Sequence, residues 1–497
     1  MHKKESVKKT LAIYLKEASD FISKNRLYFL IGYFAVSAVL FSLQFDLLRN
    51  WDMLTRILNA NYMFHNGFYF EPERALLESF VVGVLSFVMG AYAVYGFMVI
   101  GAALLVFALS RFAKAFSVDQ IILIALFLNP FFLIYGAMNG SEIFVLAFLV
   151  LYMVELKNKS YLAGVFLALA FVSKYYALYF AVMLLFMFWG GDMRKSIMAF
   201  FGNVGTFLLV LIPFFAYNAV NYGNIIYTFA LSYLNFGIEA GRLPYFVYTG
   251  LLSLFLPAAL LILVFSARWK SAARAIKDNS YLAALLAVVF AIGVYLYYSA
   301  NGLMVGGLDT YRWAIVALSF SMIFVATFLK KKDIPAVICL SAVFFIIAFA
   351  AVIMEYQPLS ASLLSAQSAV GVFQSLYNTT NCTVYSNNWI PLDYYGLPAS
   401  AMPSFQSPYD GHPIVSFGPA DTSFPLLYNK SNIYVYGNIS YCNFNRVNVD
   451  FILRENGILQ HENKSLLTTD ACAWLFGMSP DIPALKGSCD YVNSLIR

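Results

Sequence analysis

Apolar runs recur along the chain at Leu27–Phe45, Phe80–Leu109, Ile121–Tyr135, Ile143–Val154, Tyr161–Val172, Tyr175–Trp189, Ile197–Tyr217, Tyr245–Phe265, Tyr281–Tyr298, Trp313–Leu329 and Ile334–Met354. Eleven such runs commit the chain to a polytopic α-helical membrane protein, because a backbone in hydrocarbon must satisfy its own hydrogen bonds and a helix does so within one segment. The composition agrees, with 61% of 497 residues hydrophobic and only 12% charged. The runs at 143–154, 161–172 and 175–189 are shorter than the roughly 20 residues of a full crossing. One or more of them is therefore expected to be a half-helix, with Lys174 at a break between two.

Basic residues orient the spans. The leader, Arg111/Lys114, Lys157/Lys159, Arg194/Lys195, the Arg268–Lys277 stretch and Lys330–Lys332 fall in alternate gaps, which places them and the N-terminus on the cytoplasmic side. An odd number of spans then puts residues 355–497 outside a plasma membrane or its equivalent. Three parts follow: a leader over 1–26, a membrane domain over 27–354 and an extracytoplasmic domain over 355–497. In the leader, Leu11, Tyr14, Leu15, Ala18, Phe21 and Ile22 share a helical face, which suits a helix lying on the membrane surface and equally an ordinary solvated leader.

The tail carries six Lys/Arg against ten Asp/Glu, so it is −4 within a chain of net charge +6. No basic patch is interleaved with aromatics, and nucleic acid is not an expected partner. Four of the five cysteines (Cys382, Cys442, Cys472, Cys489) lie in the tail, where an oxidising space favours two disulfides. Sequons at Asn378, Asn381, Asn429, Asn438 and Asn463 agree with that location. Short β-prone runs, CTVYS, NIYVYG and VNVDFIL, predict a small α/β or mostly β domain.

Charge is concentrated in Asn50–Glu78, which holds Asp52, Glu71, Glu73 and Glu78 beside Arg56 and Arg74. Ionisable groups next to lipid are costly and mark function. On the topology above, this stretch, Asn139–Glu142, the break at Lys174 and Asn301–Arg312 all reach the external face. Four scattered histidines offer no metal-ligand spacing, and no phosphate-binding glycine loop follows a strand. ATP hydrolysis and zinc catalysis are thereby set aside, and no metal or other cofactor is expected.

These loops resemble those of the GT-C superfamily, integral-membrane glycosyltransferases that use polyprenyl- or dolichyl-phosphate-linked sugars, in the protein-mannosyltransferase and aminoarabinose-transferase branch. Asp52, Ala60, Gly67 and Arg74-Ala75-Leu76-Leu77, followed by Glu78, stand in the order of that branch's first outer loop, although the expected proline is replaced by Leu76. Ser141-Glu142 is similar to the family's acidic residue at the next outer loop, Gly164 through Lys174 to its glycine-then-lysine segment, and Tyr311-Arg312-Trp313 to its later Arg-Tyr entry into a span. The resemblance covers about residues 27–330. It implies transfer of a sugar from a lipid phosphate to a glycan, lipid or protein acceptor, with membrane lipids as surroundings. It implies Asp52 as general base, Glu142 as a second site carboxylate, and Lys174, Arg74 and Arg312 as phosphate contacts, with Glu78 and Tyr311 also lining the substrate.

Plainer roles compete. Asp46 lies nearer the membrane exit than Asp52, and Asp52 could pair with Arg56 one helical turn on. Glu142 could cap a helix, Lys174 and Arg312 could snorkel to the interface, and Glu71, Glu73 and Glu78 could serve solvation or local ion pairs. Trp389-Ile-Pro-Leu-Asp393-Tyr394-Tyr395-Gly396 is reminiscent of the oligosaccharyltransferase signature, but the first loop lacks that branch's Asp-x-Asp metal motif. A transporter or a non-enzymatic assembly protein with a glycosylated ectodomain is the alternative class.

Overall fold

A computed structural model describes residues 51–72, 74–127, 141–188, 193–229, 362–401, 411–420, 422–440, 442–443 and 447–448, with scattered positions between 13 and 35, at 232 and between 320 and 338. Asp46, Tyr311 and Arg312 lie outside the described residues, as do the runs at 245–265 and 281–298. The chain divides into two compact units, one of Met1–Phe45, Met98–Ile212 and Pro244–Met354, the other of Asp46–Phe97, Pro213–Leu243 and Glu355–Arg497.

The second unit begins with α1 (Trp51–His65), the two-residue strand β1 (Tyr69–Phe70) and α2 (Leu76–Met89). A 3-10 turn at Gly90–Tyr92 joins α2 to α3 (Ala93–Phe116). Gly90 adopts φ +56°, a conformation that side-chain-bearing residues avoid, and this marks the break. Together Leu76–Phe116 makes 41 residues, the helix among the described residues that is long and apolar enough to cross a membrane by itself. It contains the run expected at 80–109.

In the first unit α4 (Gln120–Phe127) precedes α5 (Ser141–Lys157), α6 (Leu162–Ser173), a 3-10 helix over Tyr175–Phe188 and α7 (Met193–Val210). Every residue from Glu142 to Leu156 is buried, so α5 is apolar all round and central to its unit. Next to it, α6 lies flush with α7, where a Cβ on Gly164 would fall 2.0 Å from the Asn203 carbonyl oxygen. Asn203 Oδ1 accepts the Gly164 N–H at 2.6 Å, which satisfies a buried amide within the pair. Pro213 stands in the first turn of α8 (Ile212–Tyr222), and its missing N–H and ring account for the bend from α7 into α8.

The rest of the second unit is a sheet with helices. A helix over 362–377, α9, sets Ala366, Ala369, Val370, Phe373 and Tyr377 at helical spacing against Val384, Ala399, Val415, Ile433 and Val435 of the sheet. The strands are β2 (Val384–Ser386), β3 (Ala399–Ala401), β4 (Ile414–Phe417), β5 (Leu426–Lys430) and β6 (Ile433–Tyr436), in the order β3-β2-β4-β6-β5. β3, β2 and β4 run parallel, whereas β6 is antiparallel to β4 and β5. Ser431 and Asn432 both take positive φ, as a tight hairpin turn between twisted strands requires. Between β2 and β3 lies α10 (Trp389–Tyr394), with Pro391 in its first turn, where a missing N–H costs nothing. A disulfide joins Cys382 to Cys442 with Cα atoms 5.2 Å apart. Cys472 and Cys489, the other two tail cysteines, lie outside the described residues, as does Asn463. The four other sequon asparagines are exposed.

The polar stretch read as a loop is built into this domain. α1 places Leu54 and Leu58 in a core with Tyr69, Leu363 and Ile390. β1 pairs in parallel with β7 (Val447–Asn448), Tyr69 opposite Val447.

Candidate functional site

Helix α1 carries Asp52, Arg56 and Asn59 at positions i, i+4 and i+7, which fall on one face, and all three are buried. A buried charge must be paired and hydrogen-bonded to be tolerated. The partners come from the chain that returns after α1. Asn66 takes φ +56° and Gly67 packs against the helix so closely that a Cβ would stand 2.8 Å from the Tyr62 nitrogen. That turn brings Glu71 back beside Asn59, whose side chain accepts the Glu71 N–H at 2.8 Å and donates to the Glu71 carbonyl at 2.9 Å.

Glu71, fixed through its backbone, accepts the Tyr69 hydroxyl at 2.5 Å on Oε1 and Arg74 Nε at 2.7 Å on Oε2. Arg74 in turn donates through Nη1 to Asp52 Oδ1 at 2.7 Å. One turn along each helix, Arg56 pairs with Glu78, which sits in the first turn of α2, where the helix dipole favours a carboxylate. Three carboxylates and two guanidiniums thus form a triad, Asp52–Arg74–Glu71, and a pair, Arg56–Glu78, with the side chains of Asp52, Glu71, Arg56 and Glu78 at most 7% exposed and that of Arg74 29% exposed. A cation with partial solvent access, held by two fixed anions, can meet a ligand anion without reorganising.

A second pair stands in the first unit. Glu142, in the first turn of α5 and 1% exposed, accepts Lys174 Nζ at 2.5 Å. Helix α6 ends at Ser173, Lys174 is extended (φ −155°, ψ 127°), and the 3-10 helix begins at Tyr175. Lys174 therefore occupies a break between two helical segments, with its Nζ 5.9 Å above the Tyr176 ring.

The structure brings Asp52 together with Arg74, Glu78 with Arg56, and Glu142 with Lys174. Beyond the local partner considered for Asp52, the structure pairs Asp52 with Arg74 and Arg56 with Glu78. Glu71 and Glu78 are ion-paired and buried rather than solvated. Sequence reasoning missed Asn59 and Tyr69, whose contribution is visible only once Gly67 folds the chain back. A buried polar stripe on an amphipathic helix was the available signal.

Trp389 and Asp393 lie on α10. Asp393 points inward, its Oδ1 accepting the Ala399 N–H at 2.7 Å, so it holds the start of β3. Burial raises its pKa well above the ordinary carboxylate value, the Ala399 hydrogen bond opposes this, and the charge of Glu71 adds to it. Trp389 donates through Nε1 to the Tyr69 hydroxyl at 3.4 Å. Among the described residues no three His, Cys, Asp or Glu side chains gather in a way that could hold a metal ion.

The resemblance read from the loop motifs is borne out at the level of the fold. The solved structure that carries this is ArnT from Cupriavidus metallidurans bound to undecaprenyl phosphate, matched with a TM-score of 0.53 over 83% of this chain and 98% of that one, at 13% identity. No protein-family model and no curated protein matches the chain.

Proposed function

We propose that the protein is a membrane glycosyltransferase that moves a sugar from a polyprenyl-phosphate donor to an acceptor hydroxyl or amine on the extracytoplasmic side. The observation that carries this reading is the buried Asp52 carboxylate tied to the half-buried Arg74 on a fold shared with a protein that holds undecaprenyl phosphate. The reaction asks for little more. The acceptor oxygen or nitrogen attacks the anomeric carbon as its proton passes to Asp52, and the carbon–oxygen bond to phosphate breaks with its electron pair leaving on the polyprenyl phosphate. The leaving group is a stabilised anion, so a cation suffices and no protonated acid is needed. We assign that task to Arg74. Glu142 and Lys174 keep the roles the loop motifs imply, a second carboxylate and a second phosphate contact, and Arg312, Tyr311 and Glu78 remain proposed substrate contacts, with Asp46 the rival base.

The test is transfer of radiolabelled sugar from synthetic polyprenyl-phosphate donors by the purified chain in liposomes, with extracted membrane glycans, lipids and proteins as acceptors. Donor consumption above that of the Asp52→Asn protein supports the reading. No consumption of any donor in the presence of every acceptor class would overturn it.

A further inference from the structure

We propose that Trp389 and Tyr69 are positioning residues, through which the C-terminal sheet domain holds Glu71, and by way of it Arg74, in the geometry that receives a lipid phosphate. The inference rests on the glycosyltransferase reading for its ligand class, but the juxtaposition stands on its own: Trp389 Nε1, the Tyr69 hydroxyl, the Glu71 carboxylate, the Arg74 guanidinium and the Asp52 carboxylate form one continuous hydrogen-bonded chain.

Tyr69 is buried among Leu54, Leu58, Leu363 and Ile390, so its ring is fixed by apolar packing from both α1 and the C-terminal domain. The phenol lies between two polar groups. It donates to Glu71 and accepts from Trp389, a direction imposed because an indole N–H can only donate. Burial first, then the neighbouring Glu71 and Asp393 charges, push the phenol well above its ordinary range, so the hydroxyl remains a donor wherever the protein is folded.

Glu71 is consequently held at four points: its backbone N–H and carbonyl by Asn59, one carboxylate oxygen by Tyr69 and the other by Arg74. Arg74 is clamped at Nε by Glu71 and at Nη1 by Asp52, which sets the plane of the guanidinium before any ligand arrives. Removing the Tyr69 hydroxyl leaves one carboxylate oxygen without its donor and lets the carboxylate rotate, and Arg74 rotates with it. The loss would be felt at the phosphate although Tyr69 need not touch it. Trp389 ties the same hydroxyl to α10, so the last quarter of the chain takes part in setting a cation near its beginning.

The experiment uses the full-length protein in nanodiscs and undecaprenyl phosphate as the probe, with undecaprenol as the phosphate-free control, for wild type, Tyr69→Phe, Trp389→Phe, Glu71→Gln and the Tyr69→Phe/Glu71→Gln double variant. Tyr69→Phe keeps the packing, Trp389→Phe gives up part of the indole's, and melting temperatures measured beside binding separate that loss from the loss of the hydrogen bond. Tyr69→Phe is expected to weaken undecaprenyl phosphate binding about tenfold and Trp389→Phe a few-fold, the size of one lost hydrogen bond to a charged and to a neutral group. Undecaprenol binding should not change. The double variant should bind no worse than Glu71→Gln alone, because Tyr69 acts through Glu71. Losses that multiply in the double variant, wild-type affinity in Tyr69→Phe, or an equal loss for undecaprenol would each overturn the proposal and leave Tyr69 a packing residue. If the cycle couples as expected while no sugar donor is ever consumed, the glycosyltransferase reading falls and the positioning chain stands. If wild type binds the phosphate no better than undecaprenol, both fall.

Discussion

Asp52 and Glu71 offer an internal control that the sequence did not suggest. Each holds Arg74 through a single 2.7 Å bond, and their side chains are 7% and 5% exposed. If Asp52 only anchors the guanidinium, Asp52→Asn and Glu71→Gln should cost the same, since each change replaces a carboxylate by an amide of equal shape that still accepts one hydrogen bond. Loss of the charge on one side of a partly exposed arginine is worth about 1 to 2 kcal/mol, or roughly a five- to thirtyfold loss in transfer. If Asp52 is the base, Asp52→Asn loses a further factor of about 10² to 10⁴, because an amide cannot take the acceptor's proton. The assay is single-turnover sugar transfer from a polyprenyl-phosphate donor, with donor binding measured separately so that chemistry and affinity are resolved. The expected result is matched donor affinity in the two variants and a transfer rate at least a hundredfold lower in Asp52→Asn than in Glu71→Gln. Equal rates would refute the assignment of the base to Asp52 and direct the search to Asp46.

The buried Arg56–Glu78 pair should behave as structure: Arg56→Gln strands a carboxylate and should cost about 3 to 5 kcal/mol in unfolding free energy, whereas Arg56→Met combined with Glu78→Leu should recover most of that. A double variant no more stable than Arg56→Gln would show that the pair is held for something other than mutual neutralisation. For Asp393 the folded-state value is raised, so the folded protein binds the proton more tightly than the unfolded chain and stability falls as pH rises from about 3.9 toward the folded value. Asp393→Asn keeps an acceptor for Ala399 and cannot ionise; thermal melts should therefore place it above wild type at pH 8 with the gap closing toward pH 4, and a gap independent of pH would contradict the sign. Non-reducing peptide mapping should recover Cys382 linked to Cys442, and Cys382→Ser with Cys442→Ser should destabilise the sheet domain by about 2 to 4 kcal/mol; free thiols at both positions would remove that bridge.

What could be read from the chain follows the range of the interactions concerned. Lys174 was legible because it interrupts two short apolar runs, and a charge between half-helices has few other places to sit. Glu142 was legible because Ser-Glu before an apolar run starts a helix whatever the tertiary context. The strands of the C-terminal domain followed from β-branched and aromatic runs, of which CTVYS became β2 and NIYVYG became β6.

The ion pairs were not legible for a different reason. A local rule pairs Asp52 with Arg56 at i, i+4, worth a few tenths of a kcal/mol on an exposed helix. That rule assumes solvent on the helix face, and here the face is buried, so each charge needs a partner with its own hydrogen-bond geometry rather than the nearest opposite sign. The turn at Asn66-Gly67 delivers two partners from outside the helix, Arg74 for Asp52 and Glu78 for Arg56, each 22 positions beyond the residue it meets. The tie from Tyr69 to Trp389 spans 320 positions and has no local signature at all. Its one trace in the sequence is the cluster of aromatic residues Trp389, Tyr394 and Tyr395 in the Trp389–Gly396 segment. The likeness of that segment to an oligosaccharyltransferase signature drew attention to the right residues for another reason: Asp393 faces the backbone of β3, and it is the indole N–H of Trp389 that reaches the Asp52 network. A carboxylate turned inward onto an amide stabilises a strand, whereas an indole turned onto a buried phenol transmits position, and only the second bears on the chemistry.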